Sequence, residues 1–341
     1  MITLDGSKGE GGGQILRTAL SLSMVTGRPF RLTKVRAGRK KPGLLRQHLT
    51  CVNAALDISD AKADGATLGS GELTFTPGAI KPGEYRFAVG SAGSATLVFQ
   101  TVLPALLLAD APSQLTLEGG THNPFAPPFN FLEKTFLPVL ASMGPKVALE
   151  LERPGFFPAG GGLFSATIEP SAKLTPLHLH QRGAIRAKRA RVLISMIPND
   201  VAKRELRLVR NKLDLVEKDC ATEIIDNSPG SGNALLIEIE SESVTKVISA
   251  FGERGVKAEW VARDAAKEAR RYLKNEAPVG EHLADQLLIP LALAGEGGFT
   301  TGPLSTHATT NIETIREFLE IDFVVEEMNE AMRKVTAVAP H

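Results

Sequence analysis

Cysteine is nearly absent: Cys51 and Cys220 are the only two, far apart in sequence, which excludes a disulfide framework and a zinc knuckle built on paired thiols. Tryptophan and tyrosine are equally sparse, at one and two, so few rings that pair a flat face with a polar edge are on offer for stacking on bases. Long apolar runs are missing as well. Val102 to Ala109 is far too short to cross a bilayer, and the opening Met-Ile-Thr-Leu-Asp lacks a basic and then apolar leader. Charge of one sign does not predominate, because 39 Lys and Arg offset 38 Asp and Glu to leave +1. These absences predict a soluble, cytoplasmic chain with reduced thiols and no membrane partner. The balance of charge hides clustering: Arg36, Arg39, Lys40, Lys41 and Arg46 fall together, as do Arg182, Arg186, Lys188, Arg189 and Arg191.

One plan recurs three times. Gln14 to Thr26 carries Ile15, Leu16, Ala19, Leu20 and Leu22 at helical spacing, stops at Gly27 and runs into an alternating segment, Pro29 to Leu32. Ala95 to Leu108 leads in the same way into Gln114 to Leu117, and His282 to Ala294 into Phe299 to Thr301. A polar loop follows each strand, at 37–43, 119–128 and 302–307, so the three loops occupy equivalent places. Paired alternating segments close the units, Val147 to Leu151 with Gly162 to Ile168 and Phe323 to Glu326 with Arg333 to Val338. Residues 181–276 break the pattern. There, Ala190 to Ser195 and Ala234 to Glu240 are predicted as strands, and Val201 to Val216, Val244 to Arg254 and Asp264 to Tyr272 as helices, with a hairpin-like turn at Asn227 to Asn233.

Several constellations could carry chemistry. Gly6 to Gln14 brings glycines to the start of a helix, where free N–H groups and the helix dipole can receive an anion. Glu10 among them suits a magnesium ion beside phosphates, or equally a helix start complemented by an acid. Arg36 to His48 packs five cations and a histidine around Gly38, Pro42 and Gly43, which fix the backbone as in a shaped anion clamp. His307 ends the third loop just before a helix, where the dipole favours the neutral imidazole; a hydrogen-bonded structural histidine fits the spacing too. Lys62-Ala63-Asp64-Gly65 matches the pattern of lysine nucleotidyl transferases, but in a turn-rich stretch without companion motifs it reads as chance. His178 and His180 alternate along a strand with no further ligand nearby, and read as decoration of one exposed face.

Arg-Ala-Gly-Arg-Lys-Lys-Pro-Gly-Leu-Leu-Arg-Gln-His at 36–48, Gly-Phe-Phe-Pro-Ala-Gly-Gly-Gly at 155–162, His-Leu-Ala-Asp-Gln at 282–286 and His307 together resemble the RNA 3′-terminal phosphate cyclase family. The resemblance runs from the first predicted strand to the last. It implies an α+β fold: a large domain (1–180 and 277–341) of three βαβαββ units related to the C-terminal domain of translation initiation factor 3, with a smaller α/β domain (181–276) inserted before the third. It also implies that ATP, with Mg²⁺ or Mn²⁺, adenylylates His307. AMP then passes to an RNA 3′-phosphate, and the neighbouring 2′-hydroxyl displaces it to close a 2′,3′-cyclic phosphate, with pyrophosphate and AMP released.

By the same resemblance Glu10 holds the metal, Gln100, Asp285 and Gln286 line the nucleotide pocket, and Pro127 and His282 flank the adenine. Arg17, Arg36, Arg39, Gln47 and His48 form the surface for phosphate and the RNA end. Two positions depart from the family pattern, His282 where several members have tyrosine and His122 where bacterial relatives often have an acid. The scarcity of aromatics suggests that the end group is read more than the base sequence. A non-catalytic relative of the fold, active in ribosome assembly or RNA processing, lacks the nucleophile. Enolpyruvyl transferases use six such units, against three counted here. A monomer and a homodimer both remain open.

Overall fold

The computed structural model describes residues 1–339. The chain opens with β1 (Ile2–Asp5), α1 (Gln14–Thr26), β2 (Phe30–Thr33), α2 (Arg46–Ser59), β3 (Lys62–Asp64) and β4 (Leu73–Thr76), whose strands form a sheet in the order β1-β2-β4-β3. Helix α1 forms because its apolar residues fall on one broad face. It stops because Gly27 adopts φ 68°, a left-handed turn that leaves its N–H free to cap Ser23. Next come β5 (Glu84–Ala88), α3 (Ala95–Leu106), β6 (Ser113–Gly119), the helical run α4 (Phe129–Phe131) to α5 (Leu137–Ala141), β7 (Lys146–Arg153) and β8 (Gly162–Glu169), giving the sheet β5-β6-β8-β7. In both sheets the first two strands are parallel and the remaining pairings antiparallel.

After β9 (Leu177–Leu179) the chain builds a separate sheet. Its elements are β10 (Ile185–Ser195), α6 (Asn199–Leu213), β11 (Cys220–Ile224), β12 (Gly232–Ser241), β13 (Thr245–Phe251) and α7 (Ala258–Lys274), with strand order β11-β10-β12-β13. It then returns through α8 (Glu281–Ala294), β14 (Gly297–Thr301), α9 (Thr306–Phe318), β15 (Asp322–Asn329) and β16 (Met332–Val338), which join β9 in the order β9-β14-β16-β15. One apolar core runs through the first, second and last sheets and their helices. A second core, with Val192, Ile237, Val209 and Ala265, belongs to the sheet of β10 to β13 and its two helices. Arg204 clamps those helices together by two 2.7 Å hydrogen bonds to Glu259.

Two expectations are corrected. Val244 to Arg254, expected as a helix, is strand β13, because its successive residues bury on opposite sides: Ile248 joins the core under α7 while Val247 packs with Phe156 and Leu236. The turn at Asn227 to Asn233 is not a hairpin, since β11 and β12 are separated by β10 and the chain must pass over it. Lys62 and Asp64 lie on the short edge strand β3, and His178 is exposed on β9.

Glu205 of α6 is fully buried, with Oε2 accepting from Asn233 Nδ2 at 3.0 Å and Oε1 unpartnered. Burial pushes its carboxyl up to about 7, from an ordinary value of 4.5. A group raised on folding contributes stability below its unfolded pKa and loses it as pH climbs through the folded one. Glu205→Gln is therefore expected to gain on the parent, by on the order of 3 kcal/mol, between pH 4.5 and 8.5 in urea titrations. An unchanged difference across that range contradicts this.

Candidate active site

The loops beyond the carboxyl ends of β2, β6 and β14 open onto one cleft of about 530 Å³. The first contributes Arg36 and Arg39, the second Phe125 and Pro127, the third Ser305 and His307, while β13 supplies Val247, Ile248, Ser249 and Phe251. Of the residues singled out by sequence, Glu10, Arg17, Arg36, Arg39, Gln47, His48, Pro127, His282, Asp285, Gln286 and His307 all line this cleft. Gln100 does not. It lies one layer behind, in an adjoining cavity that also reaches Gln14, Arg17, Asp285 and Gln286, with its Nε2 bonded to Gln286 and its buried Oε1 unpartnered.

His307 sits in the first turn of α9, whose start is fixed by Ser305 Oγ accepting from the Ala308 N–H at 3.2 Å. Its Nδ1 meets Gln14 Oε1 at 2.5 Å. The orientation of that amide is set by a chain of hydrogen bonds rooted in a backbone carbonyl. Asn311 Nδ2 donates to Asp285 O at 3.1 Å, an atom that can only accept, so the Asn311 amide is unambiguous, and its Oδ1 receives Thr18 Oγ1 at 2.8 Å. The same Nδ2 reaches Asp285 Oδ1 at 3.1 Å, where Gln14 Nε2 also donates at 2.6 Å. With Asp285 ionised, held so against its burial by Gln14, His307, Arg17 and Asn311, Gln14 turns its carbonyl to His307, so Nδ1 carries the proton and Nε2 keeps a free lone pair. Burial holds the imidazole below the ordinary histidine range, Asp285 opposes this, and Arg17 and Arg39 add to it. A neutral ring with a defined tautomer and one open nitrogen can act as a nucleophile or a base.

Around it stand cations with few counter-charges. Among the described residues neither Arg17 nor Arg36 has an ion pair. Arg36 Nη1 holds its own loop through Lys41 O at 2.7 Å and Gly43 O at 2.9 Å. Arg39 is paired with Glu10, whose Oε2 also accepts from the Gly12 N–H at 2.7 Å. A Cβ at 13 would strike the ring of the buried His48, and one at 12 would displace the Glu10 carboxylate and the Arg39 guanidinium from their pairing. His48 is buried, its Nδ1 unpartnered, and burial followed by Arg17 and Arg36 brings its pKa down to about 3, so it stays neutral. Gln47 Oε1 accepts from the Ser94 N–H at 2.6 Å, tying α2 to the start of α3.

His282, at the start of α8, is exposed on the cleft wall, whereas His122 is enclosed between Thr121 and Asn130 at 2.8 and 2.9 Å and has no part in it. No group of three or more His, Cys, Asp or Glu side chains gathers among the described residues. Sequence reading missed Gln14, Asn311 and Phe125, the last exposed at the rim, and missed the β13 wall through the helix misassignment. A signal existed for the first: Gln14, Arg17, Thr18 and Ser21 form a polar stripe at helical spacing on an otherwise apolar helix, and all face one cavity.

Comparison with known proteins points to a single family. The family model described as RNA 3′-terminal phosphate cyclase matches residues 8–325. The chain is similar to proteins named RNA 3′-terminal phosphate cyclase from Koribacter versatilis, 54% identical over 333 residues (98% of this chain, 94% of the relative), and from Ectopseudomonas mendocina, 52% identical over 334 residues (98% and 97%). A third, from Salmonella agona, is 50% identical over 333 residues, 98% of this chain and 96% of that one. No helix among the described residues is long and apolar enough to cross a membrane. With a conditioned histidine in a cation-lined cleft and relatives of this similarity over nearly the whole chain, the protein is an enzyme and belongs to the RNA 3′-terminal phosphate cyclase family.

Proposed function

We propose that the chain converts RNA 3′-phosphate ends to 2′,3′-cyclic phosphates through a covalent His307–AMP intermediate, in the cytoplasm. The observation that carries this reading is the hydrogen bond from His307 Nδ1 to an amide that cannot turn around, which leaves Nε2 as the free nitrogen. His307 Nε2 attacks the α-phosphorus of ATP, the P–N bond forms and pyrophosphate leaves. An oxygen of the RNA 3′-phosphate then attacks that phosphorus, the P–N bond breaks and AMP is joined to the RNA end. Finally the adjacent 2′-oxygen attacks the 3′-phosphorus, AMP departs and the ring closes. Activation is needed because a phosphate monoester dianion is a poor electrophile, while its AMP adduct carries a good leaving group.

The chain's part is positioning and charge neutralisation. Arg17, Arg36 and Arg39, with Gln47 and His48, receive the phosphates. His282 and Pro127 flank the adenine, and Asp285, Gln286 and Gln100 complete the nucleotide side. Glu10 fits a Mg²⁺ or Mn²⁺ of the kind held by one carboxylate together with substrate phosphates. Such an ion, when bound, neutralises phosphate charge; Arg39, now paired with Glu10, is free to turn to the phosphates once it is present. We further read the first, second and last sheets, which share one strand order, as three βαβαββ units, and, because β9 pairs with β14, 181–276 as a domain inserted after the first strand of the third unit and not before that unit. Incubation of a 3′-phosphorylated oligonucleotide with ATP is expected to give an end resistant to phosphatase, and prior dephosphorylation to prevent it. A product still open to phosphatase would remove the proposal.

A further inference from the structure

Helix α7 carries a stripe that the cleft does not use. Trp260, Arg263, Lys267, Arg270, Arg271 and Lys274 fall within an arc of about 100° along a helix roughly 25 Å long. Each of the six is exposed, Trp260 to 56%, while Val261, Ala262, Ala265 and Ala269 bury the opposite face. None of its five cations has an ion pair among the described residues. The cations line an open groove of about 990 Å³, to which Lys212 adds a sixth. Two acids border it, Asp264 and Glu268, and Glu268 is engaged by Lys246 at 3.1 Å. Unpaired like charges at this density repel one another, and an anion along the groove relieves that repulsion.

The groove is continuous with the active-site cleft. Glu268 borders both, and Pro303, four residues before His307, is part of the groove's lining. Asn275 Nδ2, just past the end of α7, holds Ala331 O at 3.0 Å and so fixes the helix to the sheet that presents His307. Trp260, the single tryptophan of the chain, lies outside the groove's lining at the N-terminal end of α7, one turn before Arg263. We infer that α7 is a track for single-stranded RNA leading away from the reacting end, with the cations on the phosphodiester backbone and Trp260 stacked on one base. Regularly spaced cations that outnumber the bordering acids by six to two match a repeating polyanion, and a lone exposed indole matches one unstacked base. The inference rests on RNA ends being the substrate and adds a contact to the body of that RNA.

Binding of a 3′-hydroxyl RNA of about 20 nucleotides, which cannot be consumed, isolates this surface from the chemistry. In fluorescence anisotropy the variant carrying Lys267→Glu, Arg270→Glu and Lys274→Glu is expected to bind at least tenfold more weakly. Its log-log salt dependence should be shallower by about 2, the share of three backbone contacts on a single strand. RNA should quench the emission of Trp260, and Trp260→Ala should weaken binding roughly fivefold or more. In cyclisation assays the triple variant should raise KM for the long 3′-phosphorylated RNA and leave KM for a 3′-phosphorylated dinucleotide unchanged. An unchanged Kd for the triple variant, or an equal rise in KM for long and short substrates, overturns the track while leaving the cyclase reading intact. RNA binding through α7 by a chain that closes no ring overturns that reading and leaves the track. Failure of the unmodified chain to bind the 3′-hydroxyl RNA, whatever acidic protein or anionic vesicle it takes instead, rejects the track.

Discussion

His307→Ala is expected to abolish transfer of label from α-labelled ATP to the protein and to lower cyclisation by on the order of 10⁴-fold or more, as when the nucleophile of a covalent mechanism is removed. The label on the parent should be acid-labile and alkali-stable, as a phosphoramidate is. The substitution should not disturb folding. His307 is exposed in the first turn of α9, whose start is capped by Ser305 and whose anchors are Ala308, Ile312 and Ile315. Stability within about 0.5 kcal/mol of the parent is expected. Full labelling of the alanine variant would move the nucleophile elsewhere, and Lys62, on its exposed edge strand, would have to be reconsidered.

Gln14 offers the second large effect, because it acts on the reaction only through His307. Gln14→Met keeps length and volume but removes both the acceptor for His307 Nδ1 and the donor to Asp285 Oδ1. The ring then loses its fixed tautomer and orientation, and kcat for adenylylation is expected to fall roughly 100-fold with KM for ATP little changed. Gln14→Glu gives a sharper readout. A carboxylate against Nδ1 favours the imidazolium and raises the His307 pKa, which burial now holds low. The acidic limb of the rate–pH profile should therefore move to higher pH, since more alkaline conditions are needed to free Nε2. A purely structural role for Gln14 would lower the rate without moving that limb.

Much of the scaffold was legible because local rules agree with the fold. Helix α1 was read from its apolar spacing and from Gly27, and the pairing of β15 with β16 from alternation alone. Where reading failed, the local signal pointed the wrong way. Val244, Val247, Ile248 and Phe251 sit at i, i+3, i+4 and i+7, the helical pattern, yet the segment is a strand covered on both faces, and a doubly covered strand need not alternate. The candidate site divides in the same way. Dense local motifs, such as Arg36 to His48, announced themselves, and the family resemblance supplied isolated positions such as Gln100 and Pro127. What joins His307 to Gln14 spans 293 residues, and no spacing rule reaches across that distance.

A crystal structure with a non-hydrolysable ATP analogue tests the central claim most directly. The expected result has His307 Nε2 within about 3–3.5 Å of the α-phosphorus, in line with the bond to the leaving pyrophosphate, and Nδ1 still held by Gln14. A nucleotide whose α-phosphorus lies beyond reach of that nitrogen, with the ring turned from Gln14 and another nucleophile at the phosphorus, would contradict it.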